Sequence, residues 1–209
     1  YLIITDYHRE REMDSAFLEA LAQARPDPGG GAAAAHGAAL GLALLKKVVK
    51  LEQQRQESGH RADFLWDDLL SRSRQVATVI GRLQNEDVQA YSNLTQARNS
   101  GDAKKMAAAL EEALGCPLRI MQQAQEGLAL ISQAGARCKM HLLSDLLVGC
   151  ELLGAAFRGA HHIAHDNLLR MSASSRRAIW AENLTHTLMA AEAMLQQVCA
   201  ELLERNSCR

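Results

Sequence analysis

PDPGGGAAAAHGAALGLALLKKVVKLEQQR, residues 26–55, decides how this chain is read. Pro26 and Pro28 stop whatever helix precedes them, because proline lacks an N–H and clashes with the previous turn. Gly29, Gly30 and Gly31 carry no Cβ and leave their main chain bare. From Ala32 the residues are strong helix formers with no breaker, and a helix is expected to run to about Arg55, ended by Ser58-Gly59. Gly37 and Gly41 lie four apart on one face of it, so a neighbouring backbone is expected to pack closely there. The stretch Gly29–Leu45 is nearly uncharged but short of the ~18–20 apolar residues of a membrane span, and it reads as a buried helix.

The same signature extends in both directions. Upstream, a helix is expected over Asp14–Ala24, with Asp14 or Ser15 as cap and Phe17, Leu18 and Leu21 facing inward. Residues 1–13 read as an irregular segment. Downstream, a helix over Ala62–Ala97 carries Phe64, Leu69, Val76, Ile80, Leu83, Tyr91 and Leu94 as its inward set. Asn99-Ser100-Gly101-Asp102 is a turn, with Asp102 as N-cap of a helical region reaching Gln133. Gly115-Cys116-Pro117 is expected to kink or split that region, and Gly135 to close it. A helix over His141–Leu169 holds Gly149, Gly154 and Gly159, which tight packing or a ligand would explain. Ser172–Ser175 caps a last helix running to about Glu204. With period-2 strand patterns hard to find, the sequence predicts an all-α antiparallel bundle of five or six long helices, forming one domain over residues 1–209.

Composition narrows the function. Of the 209 residues 48% are hydrophobic and only 4% aromatic, so the core must be aliphatic and Ala-rich. The net charge of -1 lacks the basic surface of a nucleic-acid binder. Five cysteines form no Cys-x-x-Cys pair, and their odd number argues against a disulfide framework. Reduced thiols and a cytoplasmic location are expected, with no membrane partner.

Several residues are candidates for chemistry. The triglycine turn opening a helix presents N–H groups and the positive end of the helix dipole, suited to an anion or polar heterocycle, although a flexible connector has the same look. Asp145, at the start of a helix, is a carboxylate able to orient or exchange a proton, and Ser144 beside it either donates a hydrogen bond or caps the helix. Asp87 is a second carboxylate, or a solvated acid on a polar stretch. His141 lies four residues before Asp145 and can pair with it as a proton relay. His36 is either a hydrogen-bonded core histidine or a pocket residue. His161, His162 and His165 crowd one region with no third ligand beyond Asp166 and no His-Glu-x-x-His pattern, so a polar or interface face is expected and no metal site. Lys46, Lys47, Lys50 and Arg55, with Arg25 and Lys139 at loops, form a solvated face or a seat for carboxylates.

Taken together, Phe17–Ala22, Pro26–Ala35, Gly37–Gly41, Asp87-Val88-Gln89-Ala90-Tyr91, Cys116-Pro117-Leu118 and Ser144-Asp145 resemble the formiminotransferase-cyclodeaminase and methenyltetrahydrofolate-cyclohydrolase family, in order and spacing over about residues 15–170. The resemblance implies a helical bundle, usually dimeric, acting on a one-carbon tetrahydrofolate without a metal or redox cofactor. It implies Asp145, Asp87 and Ser144 as catalytic residues. It implies Pro28, Gly29, Gly30 and Gly31 as substrate-binding residues, and a folate's glutamate tail needs cations such as Lys46 and Lys139. His36 and His141 are added as substrate-binding candidates on their own chemistry, since the family does not characteristically place a histidine at 141. Ala32 stands where the family commonly has Ser, and Cys138-Lys139 where it often has Gly-Asn. A divergent folate- or protein-binding bundle is therefore the alternative to an enzyme.

Overall fold

The computed structural model describes residues 16–25, 27–58 and 64–207. Residues 16–21 are helical (α1), followed by α2 (Gly30–Ser58), α3 (Phe64–Ser100), α4 (Ala103–Arg137), a 3-10 turn (Met140–Leu142), α5 (Leu143–Leu169) and α6 (Ser175–Ser207). No strand occurs among the described residues, and the chain is an all-α bundle. The expected caps Asp14 and Ser15 lie outside the described residues.

Helices α2, α3, α4 and α5 enclose the core, with α6 laid against α4 and α5. The core is aliphatic, as the composition requires: Leu42, Leu69, Ile80, Ile120, Leu128 and Leu146 are fully buried, joined by the aromatic Phe157. Burial of this kind is the main favourable term in folding. The closest approach is between α2 and α5. A Cβ at Gly41 would lie 2.9 Å from the Gly149 carbonyl oxygen, so the two backbones meet where the small residues allow it. Gly154 makes room for Leu195 of α6 in the same way. Gly149 and Gly154, which weaken α5 as an isolated helix, are thus explained by packing.

Asp102 caps α4 as expected, its Oδ1 accepting from the Lys104 and Lys105 N–H groups at 2.9 and 3.2 Å. Gly101 before it takes φ 69°, the left-handed region open to glycine. Three expectations need correction. Pro117 does not split α4, which runs unbroken through it. Proline leaves the carbonyl four residues back, that of Ala113, without its helical donor. The Asn167 side chain donates to that oxygen at 2.9 Å and replaces the missing bond. Ser144 is not a cap, since Leu142 occupies the N-cap position of α5 and no side chain bonds there. Finally, Leu18, Phe64 and Tyr91 are 58%, 83% and 43% exposed and do not face the core. Leu69, Val76, Ile80, Leu83 and Leu94 do.

Two helices, Gly30–Gln56 and Met140–Leu169, are long and apolar enough to cross a membrane by length and composition. That corrects the expectation that the alanine-rich stretch falls short, because α2 continues past Leu45 through Val48, Val49 and Leu51. Half of each apolar stretch is buried inside the bundle.

Candidate functional site

The turn 27–31 sits at the N-terminus of α2, where four backbone N–H groups lack helical acceptors. Helix α3 runs antiparallel to α2, with Gln53 near Asp67 at one end and Gly31 near Asp87 at the other. Asp87, 23 residues into α3, therefore arrives at the open end of α2. Its carboxylate lies directly against Gly31, and a Cβ there would overlap the oxygens. Gly31 is thus a glycine because the acid occupies the space a side chain would need.

Burial raises the Asp87 pKa above its ordinary value, and a hydrogen bond from the Ala32 N–H works in the opposite direction. Because the donor is main chain, Ala32 fills this role without a hydroxyl. The same carboxylate is felt by Cys116, whose thiol is pushed up to about 12, first by burial and then by the Asp87 charge. Cys116 donates instead to the Leu83 carbonyl oxygen at 3.5 Å. A thiol held in its neutral form is a poor nucleophile.

Around Asp87 lies a cavity of about 190 Å³, lined by Asp27 and the triglycine turn, by Tyr91 and Leu94 of α3, by Ala113 of α4, and by Ile163, Asp166, Asn167 and Arg170 of α5. Asp166 and Arg170 pair at 2.7 Å on its rim. Asn167, already bound to the Ala113 oxygen, keeps its place in the wall. The lining thus combines an apolar wall, a carboxylate biased toward its neutral form, free helix-terminal N–H groups and a guanidinium.

The structure divides the residues expected from sequence. Gly29, Gly30, Gly31 and Asp87 come together in the cavity. Pro28, joined to Asp27 by a cis peptide, is next to it in the chain. His36 stacks on Phe17, with ring centroids 4.6 Å apart, and is not part of the lining. Asp145 pairs with Lys47 at 2.9 Å. Sixteen residues of α2 separate Lys47 from Gly31, a rise of roughly 24 Å. The expected convergence of Asp145 with the triglycine turn therefore does not occur within one chain. Ser144 and His141, both exposed, lie at that far end too.

Lys46 is likewise remote from the cavity. Burial, then the nearby Lys50 and Arg74 charges, lower its pKa. Lys139 serves the fold through its main chain, whose N–H donates to the buried Glu52 carboxylate at 2.7 Å, while Arg55 pairs with the same acid. His161 stacks near His165, and no group of three or more His, Cys, Asp or Glu among the described residues can hold a metal ion. Sequence reasoning missed Asn167 and Arg170, and met Asp166 only as a neighbour of the histidine group. An Asn inside an Asp-x-x-x-Arg pair carries no motif, and only the Pro117 gap in α4 gave a reason to look for a donor.

Residues 14–186 match the family described as formiminotransferase-cyclodeaminase. The chain belongs to that family. No curated protein matches the sequence. Among solved structures, the formiminotetrahydrofolate cyclodeaminase of Thermotoga maritima is similar at 18% identity and TM-score 0.78, covering 91% of this chain and 93% of that one. At that identity the likeness shows the fold. Family membership adds a general place in folate one-carbon chemistry.

Proposed function

We propose that this protein is a one-carbon tetrahydrofolate enzyme, a methenyltetrahydrofolate cyclohydrolase or a formiminotetrahydrofolate cyclodeaminase, with Asp87 exchanging the proton. The observation that carries the reading is a half-buried carboxylate with a raised pKa, set against bare main chain in a cavity of a family member. A proton-transfer group works best when its pKa approaches the working pH, and burial moves Asp87 in that direction.

In the cyclohydrolase reaction, water adds to the methenyl carbon as Asp87 takes its proton. As the remaining hydroxyl proton is lost to solvent and the formyl C=O forms, Asp87 gives its proton to the nitrogen that leaves, opening the ring to the 10-formyl product. In the cyclodeaminase reaction, the second folate nitrogen closes on the formimino carbon. Asp87 moves its proton to the departing ammonia. Both pass through a tetrahedral carbon between two nitrogens, and neither step calls for a metal or redox cofactor. The cavity is smaller than the ~300–1,000 Å³ typical of drug-sized ligands. It suits the ring bearing the one-carbon unit, with the glutamate tail leaving across the surface past Arg170. The reading implies a cytoplasmic protein with reduced thiols, acting on a small molecule and not on nucleic acid or a membrane.

Two assays on the wild-type chain test it: loss of methenyl absorbance, and release of ammonia from 5-formiminotetrahydrofolate. Turnover of either substrate supports the proposal and selects the reaction. Calorimetric binding with no turnover of either would leave the non-catalytic binding bundle as the better description.

A further inference from the structure

Helices α5 and α6 run antiparallel in a register that two contacts fix. Arg158 donates to both carboxylate oxygens of Glu192, at 2.7 Å each. One turn back on α5 and one turn on along α6, Gly154 faces Leu195, whose Cδ2 would lie 2.8 Å from a Cβ at position 154. A further turn in the same directions sets Cys150 opposite Cys199. The two side chains do meet there, the Cys150 S–H donating to the Cys199 sulfur. Disulfides join Cα atoms about 5–6 Å apart, a separation that helices packed through a glycine can reach.

The two sulfurs have different surroundings. Cys150 is fully buried, and burial first, then the neighbouring Cys199, pushes its thiol well up. Cys199 is only half-buried. Burial and the Glu151 charge raise its pKa, but the Cys150 S–H and the Arg158 guanidinium work the other way. The thiolate is the reactive form of a cysteine. Of the pair, Cys199 is therefore the one that ionises and meets solvent, with a second thiol directly behind it. An accessible thiol backed by another is how a sulfenic acid is resolved to a disulfide. Cys116 and Cys138 are held elsewhere, the first donating to the Leu83 carbonyl oxygen and the second 4.0 Å from an Arg205 nitrogen.

We propose that Cys150 and Cys199 are a peroxide-sensitive pair, oxidised to a disulfide that fastens α6 to α5. The Cys199 sulfur attacks one peroxide oxygen and the O–O bond breaks. The proton that Cys199 gave up goes to the departing hydroxide, which leaves as water, and Cys199 becomes a sulfenic acid. The Cys150 sulfur then bonds to the Cys199 sulfur as the S–O bond breaks, and the Cys150 proton joins the departing hydroxyl as a second water. Two thiols are oxidised to one disulfide and one peroxide is reduced to two waters. The dithiol is the resting form, and the disulfide is transient where thiols are kept reduced. The link closes a loop of about 50 residues and acts mainly by restricting the unfolded chain. Ile163, where α5 reaches the triglycine cavity, lies 13 residues from Cys150, a rise of roughly 20 Å. The pair is thus independent of the reading given to that cavity.

The test needs no turnover. The chain, carrying Cys208→Ser throughout so that only the other cysteines are counted, is treated with an excess of hydrogen peroxide and compared with its untreated form. Two thiols per chain are expected to disappear, and peptide mass mapping is expected to find residues 150 and 199 linked. Tm should rise by about 5–10 °C and return when dithiothreitol is added. Neither Cys150→Ala nor Cys199→Ala should form the link or gain in Tm, and the second, at a half-buried position, keeps the comparison informative if the first unfolds. Dimedone, which traps sulfenic acids, should label Cys199 in the Cys150→Ala chain and leave Cys150 unlabelled in the Cys199→Ala chain. An unchanged thiol count in the treated parent chain would overturn the proposal, as would a link through other cysteines or a link at this pair without a gain in Tm.

Discussion

Asp87 and Gly31 define each other. The acid's oxygens fill the volume that a Cβ at position 31 would take. Gly31→Ala must therefore displace the carboxylate or lift the turn, at a cost of about 1–3 kcal/mol typical of overpacking. The expected result is a lowered Tm together with at least a tenfold fall in turnover. The raised pKa of Asp87 has its own signature. Its folded-state value lies above the unfolded one, so ionising it opposes folding. That penalty is absent at pH below the ordinary carboxylate range and complete above the raised value. Asp87→Asn avoids it, so urea unfolding should show the variant gaining on the wild type as pH rises through that window, with a constant difference beyond it. With Asp87 as proton acceptor, the acid limb of the kcat profile falls in the same window. The sequence offered Asp87 as a candidate but not its surroundings. An acid after Glu86 on a polar stretch looks solvated until the helix it meets is known.

Helix boundaries were largely legible because periodicity, Gly101, Asp102 and the Ser172–Ser175 run act locally. Errors arose where a residue's role depended on another element. Pro117 reads as a break, yet Asn167, fifty residues on, supplies the donor that lets α4 continue. Tyr91 shares the inward spacing of α3 but falls at the cavity, so it stays open to solvent. Asn167→Ala should leave the Ala113 oxygen poorly satisfied and destabilise the fold by about 1–3 kcal/mol. In a Pro117→Ala background, the restored N–H at position 117 can take that oxygen, so the same change should cost measurably less. Equal costs in both backgrounds, by denaturant unfolding of the four proteins, would contradict the role given to Asn167.

For the molecule as a whole, the bundle and its family could be read from the chain, but the expected meeting of Asp145 with the triglycine turn does not occur within one chain, where Asp87 takes that place. The correction was available from parity. Helices joined by short turns alternate in direction, so α2 and α5, three steps apart, run oppositely and their N-termini lie at opposite ends. Asp145 begins α5 and cannot meet the turn that begins α2, whereas Asp87, late in α3, must come close to it. Gly41, wedged between Gly149 and Leu153 where α2 crosses α5, holds this arrangement together. Gly41→Val should force the pair apart and lower Tm well beyond the effect of Gly81→Ala, a helical site with open space around it.

The account turns on which carboxylate moves the proton, and kcat for Asp87→Asn and Asp145→Asn, measured side by side on whichever folate the wild type converts, tests it most directly. The prediction is a loss on the order of 10²-fold or more at Asp87 with substrate still bound, against less than tenfold at Asp145. Full activity in Asp87→Asn, with the large loss at Asp145 instead, would contradict it.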